Sequence, residues 1–236
     1  MPLYIKGNQI SSNDITSTGA FRSKINRDGL ICYFDAANVN SYPGSGTIWY
    51  DLSGNGYNAN MSNITSSNWV LTGGVRAFET SEGTNQNFQI PNFPFPQNGR
   101  TYELWFNSKS YGIGWQTWFD DGATERVLFG TSTDTIHVYP SNNFSAGLVA
   151  NTWYHIAYTM VGGNGSTVLA YKNGIQIGTG VYGYELQGGS GTLYLLGDPS
   201  TEVTSGFCAQ MRVYNRVLNP YEIAENFQAN RNRFGI

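Results

Sequence analysis

The chain has 236 residues and a net charge of −3, with 40% hydrophobic and 15% aromatic residues but only 12% charged ones. That charged share is about half the usual ~25%. Together with 29 Gly and 25 Asn it excludes a coiled coil, a helical bundle and a charged disordered tail, and favours strands joined by Gly/Asn turns.

Residues 1–27 open the chain as a polar segment around one apolar burst, Leu3-Tyr4-Ile5, followed by a Lys6-Gly7-Asn8 turn. A short strand pair fits there. The segment cannot bury a core of its own, so it reads as an arm that needs a partner. The body is predicted over 28–236. Leu30–Ala36 is a compact apolar run, fit for a buried strand. A long turn-rich stretch follows it. Further strands are predicted over 75–79, 87–90, 101–107, 116–120, 126–130, 135–140, 153–161, 167–172, 175–180, 192–197 and 208–215. In 101–107 the alternation is clean: Tyr102, Leu104 and Phe106 share one face, Glu103 and Trp105 the other. Asn173-Gly174 predicts a type I′ hairpin, because both central residues need positive φ. One short helix is predicted near 220–229. Asn219 is its N-cap, Pro220 its first residue and Glu222 the capping-box partner, with Leu218 and Ile223 at staple positions. The fold class is thus all-β: an antiparallel jelly-roll sandwich with an N-terminal arm and a C-terminal helix.

Five segments carry a family likeness in order: 29–59, 151–160, 168–180, 192–198 and 208–227. They include Trp153-x-His155-x-Ala157, Tyr171-x-Asn173-Gly174 and Val213-Tyr214-Asn215-Arg216. The chain resembles a laminin G-like domain of the concanavalin A-like jelly-roll superfamily. The wording of the first segment and the ending Asn232-Arg233-Phe234-Gly235-Ile236 are similar to modules in structural proteins of tailed phages. The resemblance implies a sandwich but no single function, because this fold hosts lectins, adhesion modules and glycosidases.

Chemistry narrows the choice. Glycosidases of this fold carry carboxylates alternating along one strand, since period two places acid and nucleophile on one face. The 101–107 run holds one, Glu103, and Asp120-Asp121 would point to opposite sides. His137 and His155 lie far apart, and His155 sits at a packing position of the family. No enzyme activity is expected. No cofactor is expected either; calcium has one weak candidate, the Asp51–Asn55 turn with Asp35 as the next carboxylate. The competing reading is an Asx-type turn. Cys32 and Cys208 are too few for a disulfide framework. They read as buried free thiols, with a bridge as the alternative.

Aromatics in glycine-loosened loops are the candidate glycan contacts: Trp115 and Trp118, with Tyr111 nearby, and Tyr182 and Tyr184. Leu3, Tyr4 and Ile5 are the candidate anchor to a partner. Both ends of the chain carry +2 (residues 1–28 and 212–236), leaving −7 for the middle. The expected function is a non-enzymatic, virion-associated structural protein, a capsid decoration or tail or fibre component, whose lectin-like head contacts host-surface glycans. The alternative is a free-standing carbohydrate-binding lectin module of bacterial origin. The partners expected are other virion proteins through the arm and a host glycan, with homo-oligomerisation open. Nucleic acid is not expected, for want of a basic stripe. Nor is membrane insertion, since no apolar run nears ~18 residues. The start lacks the apolar core of a secretory signal, so the expected location is a virion surface, reached from the host cytoplasm.

Overall fold

The computed structural model describes residues 24–110, 115–122, 135–139, 142–163, 165, 167–182, 186, 188–198 and 202–236, with the backbone alone of 4–5, 8–9 and 126–129. Strands β1 (Tyr4–Ile5) and β2 (Asn8–Gln9) form a two-stranded pair. The body contains β3 (Leu30–Asp35), β4 (Ile48–Trp49), β5 (Ala59–Ser62), β6 (Trp69–Thr72), β7 (Val75–Thr80), β8 (Asn87–Phe95), β9 (Gly99–Ser108), β10 (Gln116–Asp120), β11 (Arg126–Phe129), β12 (Thr135–Val138), β13 (Asn142–Ser145), β14 (Trp153–Val161), β15 (Thr167–Lys172), β16 (Ile175–Val181), β17 (Gly189–Leu195) and β18 (Gly206–Tyr214). Helix α1 (Pro220–Gln228) and a 3-10 turn, Arg231–Phe234, follow.

The strands build a two-sheet antiparallel sandwich. One sheet runs β13-β12-β11-β10-β17-β8-β5-β4; the other runs β16-β15-β14-β9-β18-β7-β6, with β3 also on β18. β18 pairs with β9 on one side; on the other it meets β7 over 206–208 and β3 over 210–214. The predicted strands reappear with small boundary shifts. β4, β5, β6 and β13, of two to four residues each, were not predicted; β4 and most of β5 fall within the turn-rich stretch. β8 continues through Pro91 and Pro94. Both lie beyond its pairing with β5, and Pro91 falls at the irregularity in its pairing with β17, between the Ile90–Leu193 and Phe93–Gly191 partners.

Between the sheets lies an aromatic core. Trp49 packs on Phe34, Phe78 and Phe88 at ring separations of 4.9–5.2 Å, and Tyr102 stacks on Tyr158 at 4.8 Å. The alternation of β9 holds: Tyr102, Leu104 and Phe106 point into this core. Its other face is not solvent. Asn219 accepts from the Glu222 N–H, and the Glu222 carboxylate accepts from the Asn219 N–H. The helix that this capping box starts presses Ile223 and Phe227 onto the outer face of the second sheet. Trp105 then stacks on Phe234 at 3.8 Å and on Phe227 at 5.7 Å. The Asn173-Gly174 turn has φ of 52° and 78°, as a type I′ hairpin requires.

Both cysteines are free and buried. Cys32 pairs with Val213, five residues along β18 from Cys208, so the two are not neighbours across strands. Residues 24–27 are bonded into the body. The Asn26 N–H donates to Asn226, its amide to Glu222, and its carbonyl accepts from Tyr214. Residues 24–28 thus meet the C-terminal end there, where three of the four arginines of 212–236 are paired. Arg216 pairs with Glu222 and Asp28, Arg212 with Glu103, and Arg233 with Asp35. Leu3 and the side chains of Tyr4 and Ile5 lie outside the described residues.

Candidate functional site

The helix and the 3-10 turn close the outer face of one sheet. The outer face of the other, with β8 and β17 at its centre, is therefore where a ligand can lie. Its side chains follow from alternation. Phe88 and Ile90 point into the core, so Gln89 points out; Leu193 and Leu195 point in, so Tyr194 points out. The same rule sends Asn60 and Asp120 outward, beside Ala59 and Phe119. Register then brings these four residues into one line. Asn60 is opposite Gln89, Gln89 opposite Tyr194, and Tyr194 opposite Asp120. The line crosses three inter-strand spacings, about 14 Å. Asn60 is exposed, Gln89 and Tyr194 are half-buried, and Asp120 is buried. Asp120 accepts a 2.6 Å bond from the Gly122 N–H, and Gln89 donates to Asn87 at 3.0 Å. Two amides and a phenol thus form a ridge that can donate to and accept from hydroxyls, and the buried Asp120 closes its far end.

A second cluster lies on the same sheet. Ile136 and Val138 fill the core, so His137 between them faces outward. Its Nδ1 is 2.6 Å from Asn143 Oδ1. Trp115 meets its ring edge-on at 5.1 Å, and Tyr139 lies at 6.3 Å. Trp115 is 49% exposed and Tyr139 44%, so both rings offer surface to a sugar.

Of the aromatics chosen from the sequence, Trp115 stands at this surface. Trp118 and Tyr182 do not. They are 0% and 1% exposed and belong to the main core, Trp118 against Phe106 at 5.5 Å. A ring packed on both faces cannot stack on a sugar, so both are removed as contacts. Tyr184 and Tyr111 lie outside the described residues. Sequence reasoning missed Asn60, Gln89 and Tyr194. For Gln89 and Tyr194 the outward direction was readable from the neighbouring hydrophobics; Asn60 lies on β5, which was not predicted, and the alignment of the three was not readable.

The cluster richest in acid–base groups lies elsewhere and is sealed. Glu103, His155 and Arg212 are all buried beneath α1. Glu103 accepts from Arg212 at 3.2 Å and twice from Asn226 at 2.9 and 3.0 Å. Burial pushes the Glu103 carboxyl above its usual range, against the pull of Arg212 and Asn226. Burial also opposes the Arg212 charge, but Tyr33, Glu103 and Tyr214 outweigh it, and the guanidinium stays ionised. His155 Nε2 stands 3.7 Å from Glu103, too far for a hydrogen bond. Burial, reinforced by Arg212, holds its imidazole well below the usual range and therefore neutral. With no route for substrate, these groups are structural.

The Asp51 turn resolves as an Asx-type knot. Its carboxylate accepts from the Tyr33, Ser53, Gly56 and Tyr57 N–H groups and from the Ser53 hydroxyl. Asp35 is engaged by Arg233, Gln210 and the Ala37 N–H. The two carboxylates are thus committed to separate networks. Among the described residues no group of three or more His, Cys, Asp or Glu is placed to hold a metal ion. None of the described helices is long and apolar enough to cross a membrane.

A family model described as the concanavalin A-like lectin/glucanases superfamily matches residues 82–224. No curated protein sequence matches the chain. Among solved structures, domain 4 of an extracellular arabinanase from Geobacillus stearothermophilus, in complex with arabinotriose, superposes with a TM-score of 0.58. It is 15% identical, covering 84% of this chain and 97% of that one. A mutant sialidase of Trypanosoma rangeli gives 0.62 at 16% identity over 92% of this chain, which spans only 35% of the sialidase. The binding domain of Paraclostridial Mosquitocidal Protein 1 gives 0.57 at 15% identity, over 85% and 52%.

Proposed function

The chain belongs to the concanavalin A-like lectin/glucanases superfamily, and on that premise we propose that it is a non-catalytic carbohydrate-binding head that holds a glycan along the outer face of its open sheet. The observation that carries this reading is the in-register line Asn60–Gln89–Tyr194–Asp120. Neutral amides and a phenol satisfy sugar hydroxyls without the desolvation cost of charge. The Trp115–His137–Tyr139 cluster offers aromatic surface on the same sheet. The arabinanase domain solved with arabinotriose supports the ligand class. Hydrolysis by a carboxylate pair needs two groups about 5–9.5 Å apart. Among the described residues of the line, Asp120 is the single carboxylate, and Glu103 is sealed under the helix.

A broad glycan array tests the reading, followed by titration of the best neutral glycan with Tyr194→Ala and Gln89→Ala. Each change should weaken binding about tenfold or more, the scale of one lost aromatic or hydrogen-bonded contact, and leave the fold intact. Absence of binding to any glycan, or unchanged affinity in both variants, would overturn it.

The setting we propose is a virion surface. The support is the resemblance to phage structural modules and an N-terminal segment that forms a strand pair of its own. Leu3, Tyr4 and Ile5 would then anchor the head on other virion proteins. Because residues 24–27 are bonded into the body, the test is deletion of 1–23. The truncated head should fold and fail to assemble on particles; normal incorporation would refute the anchor.

A further inference from the structure

An open pocket of about 440 Å³ lies where the start of β3, the end of β18 and the end of β8 converge, and none of Asn60, Gln89, Tyr194 and Asp120 lines it. Its size falls in the range of about 300–1,000 Å³ typical of small-molecule sites. We propose that it is a second sugar site, selective for an acidic monosaccharide unit, a hexuronate.

The walls and the charge both point there. Tyr57 and Phe95 line the opening as half-buried rings, each braced from behind by Phe93 at 5.8 and 5.1 Å. Such rings suit the C–H face of a pyranose. Asn55 donates its amide to the Leu30 and Ile31 carbonyls, both at 2.9 Å, which fixes its Oδ1 as an acceptor. Asn215 supplies a second amide across the floor. That floor stays open because residue 29 is glycine, at φ +73°; a Cβ there would fall 2.6 Å from Asn215 Oδ1.

Arg27 decides the charge. Its Nη1 donates to the Leu52 carbonyl at 3.0 Å and its guanidinium lies 5.7 Å over Tyr33, so it is held in place at the pocket wall. No carboxylate pairs with it among the described residues. The neighbouring Asp28 is paired with Arg216 at 3.0 Å, and the Asp51 carboxylate is committed to its own turn. A fixed guanidinium with donors to spare, beside aromatic walls and amides, matches a carboxylate carried on a sugar ring.

The test is titration of the full chain with D-galacturonate, D-galactose and acetate, followed by NMR of the Tyr57 and Phe95 ring protons. Galacturonate should shift them and bind at least tenfold more tightly than galactose, with the difference shrinking as salt rises. Acetate at equal concentration should leave the rings unmoved. Arg27→Gln should bring the two sugars to parity, and Asn215→Ala, at an exposed position, should weaken both. Tyr194→Ala should change nothing here, which separates this site from the sheet face. Equal affinity for galactose and galacturonate, ring shifts reproduced by acetate, or a preference that survives Arg27→Gln would overturn the proposal.

Discussion

His155 makes the stability of this fold acid-sensitive. In the folded chain the imidazole is fully buried, has no hydrogen-bond partner on either nitrogen, and faces the ionised Arg212. Its folded pKa lies well below the ordinary imidazole value of about 6.5. The unfolded chain takes up a proton at His155 as pH falls through about 6.5, and the folded chain does not. The stabilisation is therefore fully present above pH ~6.5 and is lost as pH falls. The limiting slope is about 1.4 kcal/mol per pH unit. By pH 5 the loss relative to alkaline pH has an upper limit of roughly 2 kcal/mol, reached when the folded imidazole takes up no proton, a large part of the ~5–15 kcal/mol that holds a typical domain. Urea denaturation at pH 5, 6, 7 and 8 measures it, and a slope near 2–3 kcal/mol/M converts the loss to about 0.7–1 M in midpoint. His155→Leu is the matched variant. Other titrations, including Glu222 held low by Arg216, are common to both chains and cancel in the difference. The wild-type midpoint should fall relative to that of the variant as pH drops. Midpoints that run parallel from pH 8 to 5 would refute the reasoning.

Asn226→Leu should destabilise by about 1.5–3 kcal/mol, because Glu103 loses two charge-assisted bonds and keeps Arg212; thermal or urea unfolding measures it, and an unchanged midpoint would contradict the network. Trp118→Ala should cost about 3–5 kcal/mol as a core cavity, seen in urea unfolding. At a temperature where the variant stays folded, its glycan affinity should equal the wild type. Asn219→Ala should cost about 1 kcal/mol by removing the helix cap, read as a lowered unfolding midpoint. Burial pushes both thiols up, Cys32 and Cys208 alike. A thiol reagent at pH 8 should thus label neither in the native protein and both after denaturation; fast native labelling would place one at the surface.

What the sequence by itself determined is whatever a stretch of about ten residues can encode. Alternation in 101–107 assigned Tyr102, Leu104 and Phe106 to the core. Asn173-Gly174 specified its hairpin through positive φ, and Asn219 with Pro220 and Glu222 specified the start of α1. The aromatic loops were legible as composition only. Whether a ring in them stays exposed depends on what the opposite sheet brings over it, so Trp115 and Trp118, three residues apart, end on the surface and in the core. Glu103 read only as the one carboxylate of its strand, on the face shared with Trp105; the helix that arrives more than a hundred residues later buried it against Arg212 and Asn226. The line Asn60–Gln89–Tyr194–Asp120 comes from four strands remote in sequence. The alternation of β8 and β17 settled which face Gln89 and Tyr194 take. Which residues then stand opposite one another was decided by non-local pairing, since register is a property of two strands and is written in neither one.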